Sequence, residues 1–367
     1  MSDEVDLLYS DVEDSLRGTL RDLLTVRCTP DRVIATYDTD GVVDQPLWTS
    51  LAQELGLAGL LVPEDLGGAG ASPREAAVVL EELGRFVAPV PFFTSAVVAT
   101  AALVTSGAGE AVTALASGER TVGLVVPFST SAFDVPLSVR ADGDSLDGRV
   151  TTVAGAIDAD LLLVPARTGG GVELHLVDAK AVEIDPVVSL DMTRPLADVT
   201  LDGVGSTVVV AAEEGEAVLR SALTLGAALL ASEQVGVAQW CLDATVAYLK
   251  ERRQFGRVVG GFQALKHRLA DLYTAVESAR AAARYAAVTA AVDHPDREVA
   301  ACLAQSFCAD VAVRAAEECI QLHGGIGMTW EHPAHLYLKR AKTDQIALGL
   351  PAAHRARLAE LIDLPLQ

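Results

Sequence analysis

Two short runs carry the residue types that could hold a phosphorylated ligand. The first is Gln321-Leu322-His323-Gly324-Gly325-Ile326-Gly327, an apolar helix running into a glycine stop. The second is Arg252-Arg253-Gln254-Phe255-Gly256, a basic and aromatic helix end followed by glycine, with Gln263 shortly beyond it. Together they offer backbone N–H groups, amides and a guanidinium, the donors that hold a pyrophosphate. Arginine supplies a fork of hydrogen bonds to phosphate oxygens. Glycine lets the backbone approach a diphosphate with no Cβ in the way. Taken singly, Gly324-Gly325 reads as a helix cap and Arg252 as a surface charge; their joint presence favours the phosphate reading.

The elements that must position these runs follow from the hydrophobic pattern. Residues 1–120 read as an N-terminal helical domain, with Ser72-Pro73-Arg74-Glu75 as a capping box and Ala76, Val79, Leu80 and Leu83 on one apolar face. Residues 121–212 change pattern. Short β-branched runs at 122–126, 150–153, 161–164, 173–177 and 197–201 alternate with turns such as Asp142-Gly143, Asp147-Gly148 and Gly169-Gly170-Gly171, predicting a small, mostly antiparallel β domain. Residues 213–367 return to helical periodicity. Long helices are expected near 217–254, 262–292 and 297–322, with a fourth starting near Pro333, as a four-helix bundle. The fold class is therefore α+β, mainly α.

Composition narrows the partners. A chain of 367 residues predicts two or three structural units. Half of it is hydrophobic and only 5% aromatic, which suits extensive helix packing. The net charge of −22 argues against nucleic acid and against an anionic membrane surface. It leaves room for local basic spots that accept a phosphate-bearing ligand. Cys28, Cys241, Cys302, Cys308 and Cys319 form no CxxC pair and are odd in number, so they read as buried thiols in a reducing compartment. No metal site is expected. The acidic start, Met-Ser-Asp-Glu-Val-Asp, has no apolar signal core, and the apolar run 92–104 is too short to span a bilayer. A soluble, cytoplasmic protein is expected.

Val62-Pro63-Glu64-Asp65-Leu66-Gly67-Gly68, Glu251-Arg252-Arg253-Gln254-Phe255-Gly256, Gln263 and the 321–327 run together resemble the flavin-dependent acyl-CoA dehydrogenase family, over nearly the whole chain. The resemblance implies an FAD shared between two subunits. One subunit's β domain and helices hold the flavin ring. The other reaches across to the pyrophosphate and adenine half. Arg252, Phe255, Gln263, Gln321, Gly324 and Gly325 stand at the family's places for that second task.

The ring side departs from the family. A T-E-P-x-A-G-S-D type loop is expected after the first strand, but 123–133 has no acid there and adds Phe128 and Phe133. The K-x-W/Y-I-T-N-G segment is replaced by Gly148-Arg149-Val150-Thr151-Thr152-Val153-Ala154-Gly155, leaving Ser129 or Thr151 as hydroxyls that could reach a flavin. The family's reaction removes an α-proton as a hydride leaves the β-carbon, so a carboxylate must reach that proton. The two family positions for that glutamate fall on Leu348 and Gly226. Glu233 lies two turns from Gly226, roughly 10 Å along the helix, and reads as a structural acid. Asp344 is expected to pair with Lys339, Arg340 or Lys342.

The expectation is a non-catalytic subunit of a heteromeric, α2β2 type acyl-CoA dehydrogenase. It lends FAD-binding residues in trans to a paralogous partner that carries the glutamate. The substrate would be an acyl-CoA thioester, fatty or bulky and steroid-derived, with an electron-transfer flavoprotein as acceptor. A self-sufficient dehydrogenase with an unusual base, or a non-enzymatic scaffold of the same fold, are the alternatives.

Overall fold

Two capping boxes start the principal N-terminal helices. Ser10 pairs with Glu13 ahead of α1 (Asp11–Arg27), and Ser72 pairs with Glu75 ahead of α4 (Pro73–Phe86), each serine and glutamate satisfying the other's backbone N–H. The computed structural model describes residues 5–38, 43–106 and 108–364. Between and after these helices lie the short α2 (Pro30–Ala35), α3 (Gln45–Thr49), α5 (Thr100–Leu103) and α6 (Gly109–Ala116).

Eight strands then form one sheet: β1 (Val122–Leu124), β2 (Arg140–Asp142), β3 (Ser145–Ala154), β4 (Leu161–Arg167), β5 (Val172–Asp178), β6 (Glu183–Val187), β7 (Leu196–Gly205) and β8 (Thr207–Val210). Its order is β6-β7-β3-β2-β4-β5-β8, with β1 on the side of β4. The pairings are antiparallel except that β1 and β2 run parallel to β4, because both enter from non-hairpin connections.

The chain ends in helices: α7 (Ala212–Glu251), α8 (Gln263–Ala291), α9 (Arg297–His323), α10 (Ala334–Ile346) and α11 (Pro351–Leu361). This is a mainly helical α+β fold, with helices before and after a central sheet. It differs from the expected four-helix bundle by one further helix, α11, which Pro351 starts as its first residue. The first long helix begins at Ala212 rather than 217 and stops at Glu251, since Arg252 is extended and Arg253–Gln254 enters a small hairpin with Arg257–Val258.

α7 is the axis of the molecule. Where α4 crosses it, a Cβ on Gly236 would lie 1.9 Å from the Glu81 carbonyl oxygen, and one on Gly84 would lie 2.2 Å from that of Glu233. Two glycines thus permit backbone contact between the N-terminal and C-terminal helices. Both α7 and α9 are long and apolar enough to cross a membrane, yet most of each apolar stretch is buried as core. All five cysteines are buried and free.

The loop between β6 and β7 is tied to this core by charge. Arg194 pairs with Glu233 at 2.7 Å and with Asp344 at 2.7 Å. Arg340 pairs with Asp191 at 2.6 Å and with Glu233 at 2.6 Å. All five side chains are buried. The expectation for Asp344 is corrected here: its hydrogen-bonded partner is Arg194, reached through the fold, while Lys342 pairs with Glu317 and Lys339 lies over Trp330. Burial, and then Glu233, push the Asp344 carboxyl well above the usual range, against the opposing pull of the Arg194 and Arg340 guanidiniums. Burial acts the same way on Asp191 and Glu233, but there the guanidiniums outweigh it and hold both below the usual range.

Arg340→Met should cost about 3–5 kcal/mol by stranding buried carboxylates. Glu233→Gln should cost less, because it removes the charge that, after burial, most raises the Asp344 carboxyl, and leaves Asp191 and Asp344 to face the two guanidiniums. Urea unfolding of the two variants tests the order; equal losses would contradict it. The contributions of Asp191 and Glu233 are present above the ordinary carboxylate pKa and fade as pH falls through their depressed values, so the penalty of Glu233→Gln should shrink in acid.

Candidate cofactor and active site

The end of α7 turns through a two-residue hairpin. Phe255 (φ 52°) and Gly256 (φ 74°) are both left-handed, the combination a type I′ turn requires. Phe255 carries that strain with 89% of its surface exposed. Its ring meets Phe262 edge-on at 6.2 Å, and the Arg257 guanidinium lies 3.7 Å from the centre of the Phe262 ring. Among the described residues, the side chains of Lys250, Arg252, Arg253 and Lys266 have no ion pair or hydrogen bond, whereas the arginines of the core are paired. A cationic spot therefore stands on a chain of net charge −22. Gln263, the first residue of α8, is exposed beside it.

α9 ends at His323, and Gly324 takes φ 65° and ψ −139°, a conformation glycine alone adopts without strain. Gln321, Gly324 and Gly325 are exposed. A Cβ built on Gly324 or Gly325 would meet nothing within 4 Å, so their backbone faces open space. Gly327 differs: its Cβ would lie 2.5 Å from the Ile320 carbonyl oxygen, and its role is packing. The two runs are joined by a contact the sequence did not disclose. Tyr248, on the last turn before Arg252, stacks on His323 with centroids 4.5 Å apart. Spacing could have pointed to Tyr248, which lies one helical turn before Arg252.

The other half of the site is narrow and apolar. A Cβ on Gly226 would lie 2.9 Å from Leu348 Cδ1 and 3.0 Å from Val98 Cγ2. The two positions singled out for a base therefore converge on one spot, and Leu348 fills it. Leu348 is buried with φ 53°; its N–H donates to the Phe128 carbonyl at 2.8 Å, and His354 Nε2 donates to the Leu348 carbonyl at 2.9 Å. Phe133 meets the His354 ring edge-on at 5.2 Å. Phe93, Val98, Leu124, Phe128 and Leu223 complete a pocket with about 30 Å³ of free space beside Leu348. Ser129 and Thr151 are both exposed. Glu233 and Asp344 are held in the buried ion cluster. A separate cavity of about 500 Å³ is lined by Phe133, Arg220, Ser221, Thr224, Arg297 and Arg357.

Residues 10–113 match the family description "Acyl-CoA dehydrogenase, N-terminal domain", and residues 213–362 match "Acyl-CoA dehydrogenase, C-terminal domain". The chain is similar to acyl-CoA dehydrogenase IpdE2 of Mycolicibacterium smegmatis, 35% identical over 352 residues that span 95% of this chain and 98% of that protein. Among solved structures it is similar to a variant of the Tcur3481–Tcur3483 steroid ACAD, with 32% identity, a TM-score of 0.85 and coverage of 96% of this chain and 98% of that one. It is also similar to the ChsE4–ChsE5 complex from Mycobacterium tuberculosis, with 27% identity, a TM-score of 0.87 and coverage of 99% and 100%.

Leu348→Glu places a carboxyl at the convergent position among apolar walls. Burial will keep it protonated, and the unpaired polar group should cost about 1–3 kcal/mol. The variant alone should oxidise no acyl-CoA. Turnover by the lone variant, followed with an artificial electron acceptor, would show that the chamber admits substrate after all.

Proposed function

The chain belongs to the acyl-CoA dehydrogenase family, and we propose that it serves there as a non-catalytic subunit that completes the FAD site of a paralogous partner. One observation carries this reading: the groups suited to a nucleotide tail all face outward and uncommitted, while the place for a base is filled by Leu348. The family uses FAD, and when bound it takes the hydride from the substrate's β-carbon. This chain's residues fit the tail of that cofactor and not its ring. Arg252 would meet the diphosphate oxygens, and the Gly324 and Gly325 backbone would approach them with no side chain between. Phe255, strained and exposed, and Met328 and Trp330, 83% and 68% exposed, form an apolar margin that an assembly would cover.

The partner supplies the ring pocket and the glutamate. A carboxylate there removes the α-proton, and this chain contributes no proton acceptor of its own. The similarity to a two-component steroid ACAD and to the ChsE4–ChsE5 complex supports a heteromer and a bulky, steroid-derived acyl-CoA thioester as substrate. An electron-transfer flavoprotein is the acceptor consistent with the family.

Expression of the chain alone and with a paralogous subunit that carries the glutamate tests this, with FAD counted per chain. Flavin should appear only on co-expression, at one FAD per pair of unlike subunits. Stoichiometric flavin and turnover in the lone chain would overturn the proposal. Gly325→Ala is a sharper probe, since its methyl meets open space and needs no positive φ. The lone chain should keep its unfolding midpoint, while the heteromer loses flavin. Arg252→Ala should weaken FAD binding by roughly 10- to 100-fold, the value of one charge-assisted contact.

A further inference from the structure

We infer that His323 is the positioning residue of the nucleotide-tail site: its ring fastens the end of α9 to the end of α7, so that Arg252 and the Gly324-Gly325 backbone face one diphosphate together. The inference rests on the trans-FAD reading above and assigns a role to a side chain that this reading leaves unused.

The geometry begins with a fixed ring. His323 is 4% exposed, and its Nδ1 lies 2.7 Å from the Cys319 carbonyl oxygen. A carbonyl only accepts, so Nδ1 carries the hydrogen and the ring is held over its own helix. One face stacks on Tyr248, whose carbonyl oxygen accepts the Arg252 N–H at 2.9 Å. The ring thus touches the residue that closes the last turn before Arg252. The ring also meets His332, with centroids 4.1 Å apart, on the segment that returns from the glycine turn. His332 lies 6.5 Å from Trp240, which stacks flat on Tyr337 at 3.6 Å. The result is a chain of rings that joins α7, at Tyr248 and Trp240, to the end of α9, the returning segment and α10. Beneath it, the bare Cα of Gly327 leaves room for the His323 Cβ.

Helix ends fray, and the groups offered to a diphosphate here belong to two of them. Left independent, each end would have to be ordered when the ligand binds. A ring wedged between them removes that cost beforehand, which is the logic of a preorganised site. A leucine could fill the same volume. It would not stack on Tyr248, and it would not be oriented by the Cys319 carbonyl.

The co-expressed heteromer, titrated with FAD and followed by flavin fluorescence, separates positioning from packing. His323→Ala should weaken FAD binding by about tenfold, the order of one misplaced charge-assisted contact. His323→Phe keeps a stacking ring and should restore affinity to within about twofold of the parent, if the stack is what positions the turn. Tyr248→Leu removes the ring from the opposite side and should mimic His323→Ala, which keeps the test available if the alanine variant does not fold. The decisive readout is coupling. If His323 acts partly through Arg252, the double variant loses less than the product of the two single losses; independent, multiplying losses would overturn the inference. Unchanged affinity in both His323→Ala and Tyr248→Leu, with Arg252→Ala still impaired, would also overturn it and leave the trans-FAD reading standing. Unchanged affinity in Arg252→Ala would remove that reading itself.

Discussion

Two guanidiniums hold the sheet to the helices. Arg194 leaves the β6–β7 loop and enters a pocket between α7 and α10, where it meets Arg340 across Glu233. Buried ion pairs of this kind are poor sources of net stability, because desolvation offsets most of the attraction. What they impose is register, since a shift of the loop by one residue would strand charges in the core. The Arg194 guanidinium also lies 5.2 Å from the centre of the Phe93 ring and 5.7 Å from that of Phe128. These rings line the chamber in which Leu348 sits. The ion cluster therefore fixes the floor of the narrow half-site and consumes the two nearby carboxyls that could otherwise have been recruited as bases.

The open half-site is built on the opposite principle. Its groups are unpaired and exposed, and Phe255 is strained as well. Phe255 in a left-handed turn is the clearest case. Within one chain, then, the interior has settled its charges and filled its cavity, while the surface keeps donors and an aromatic ring unspent. That contrast needs no reference to relatives. The relatives agree with it in being acyl-CoA dehydrogenases, two of them described as paired or complexed proteins.

Much of this was readable from residue order. The helix, sheet, helix plan follows from periodicity, and the capping box at Ser72 follows from local chemistry. The exposed outward face of Gly324 and Gly325 is what a glycine stop after an apolar helix leads one to expect. Other features were out of reach for a stated reason. Asp344 finds Arg194, 150 residues away in sequence, and no local rule joins them. Gly226 and Leu348 meet because α7 passes beneath the α10–α11 turn, a tertiary fact invisible to either neighbourhood. The Tyr248–His323 stack belongs to the same class. α11 was within reach, since Pro351 is a start signal, but its few turns carry too weak an apolar stripe to stand out.

α7 runs unbroken for 40 residues. It carries the filled chamber at Gly226 and the cationic spot at its end, about 38 Å further along the axis. A continuous helix of that length behaves as a ruler with a fixed phase. One inserted residue would advance the far end by about 1.5 Å and rotate it by about 100°, swinging Arg252 to another side of the molecule. In the proposed assembly, the helix's length, more than any single group on it, would set the distance and the angle at which this polypeptide meets a neighbour.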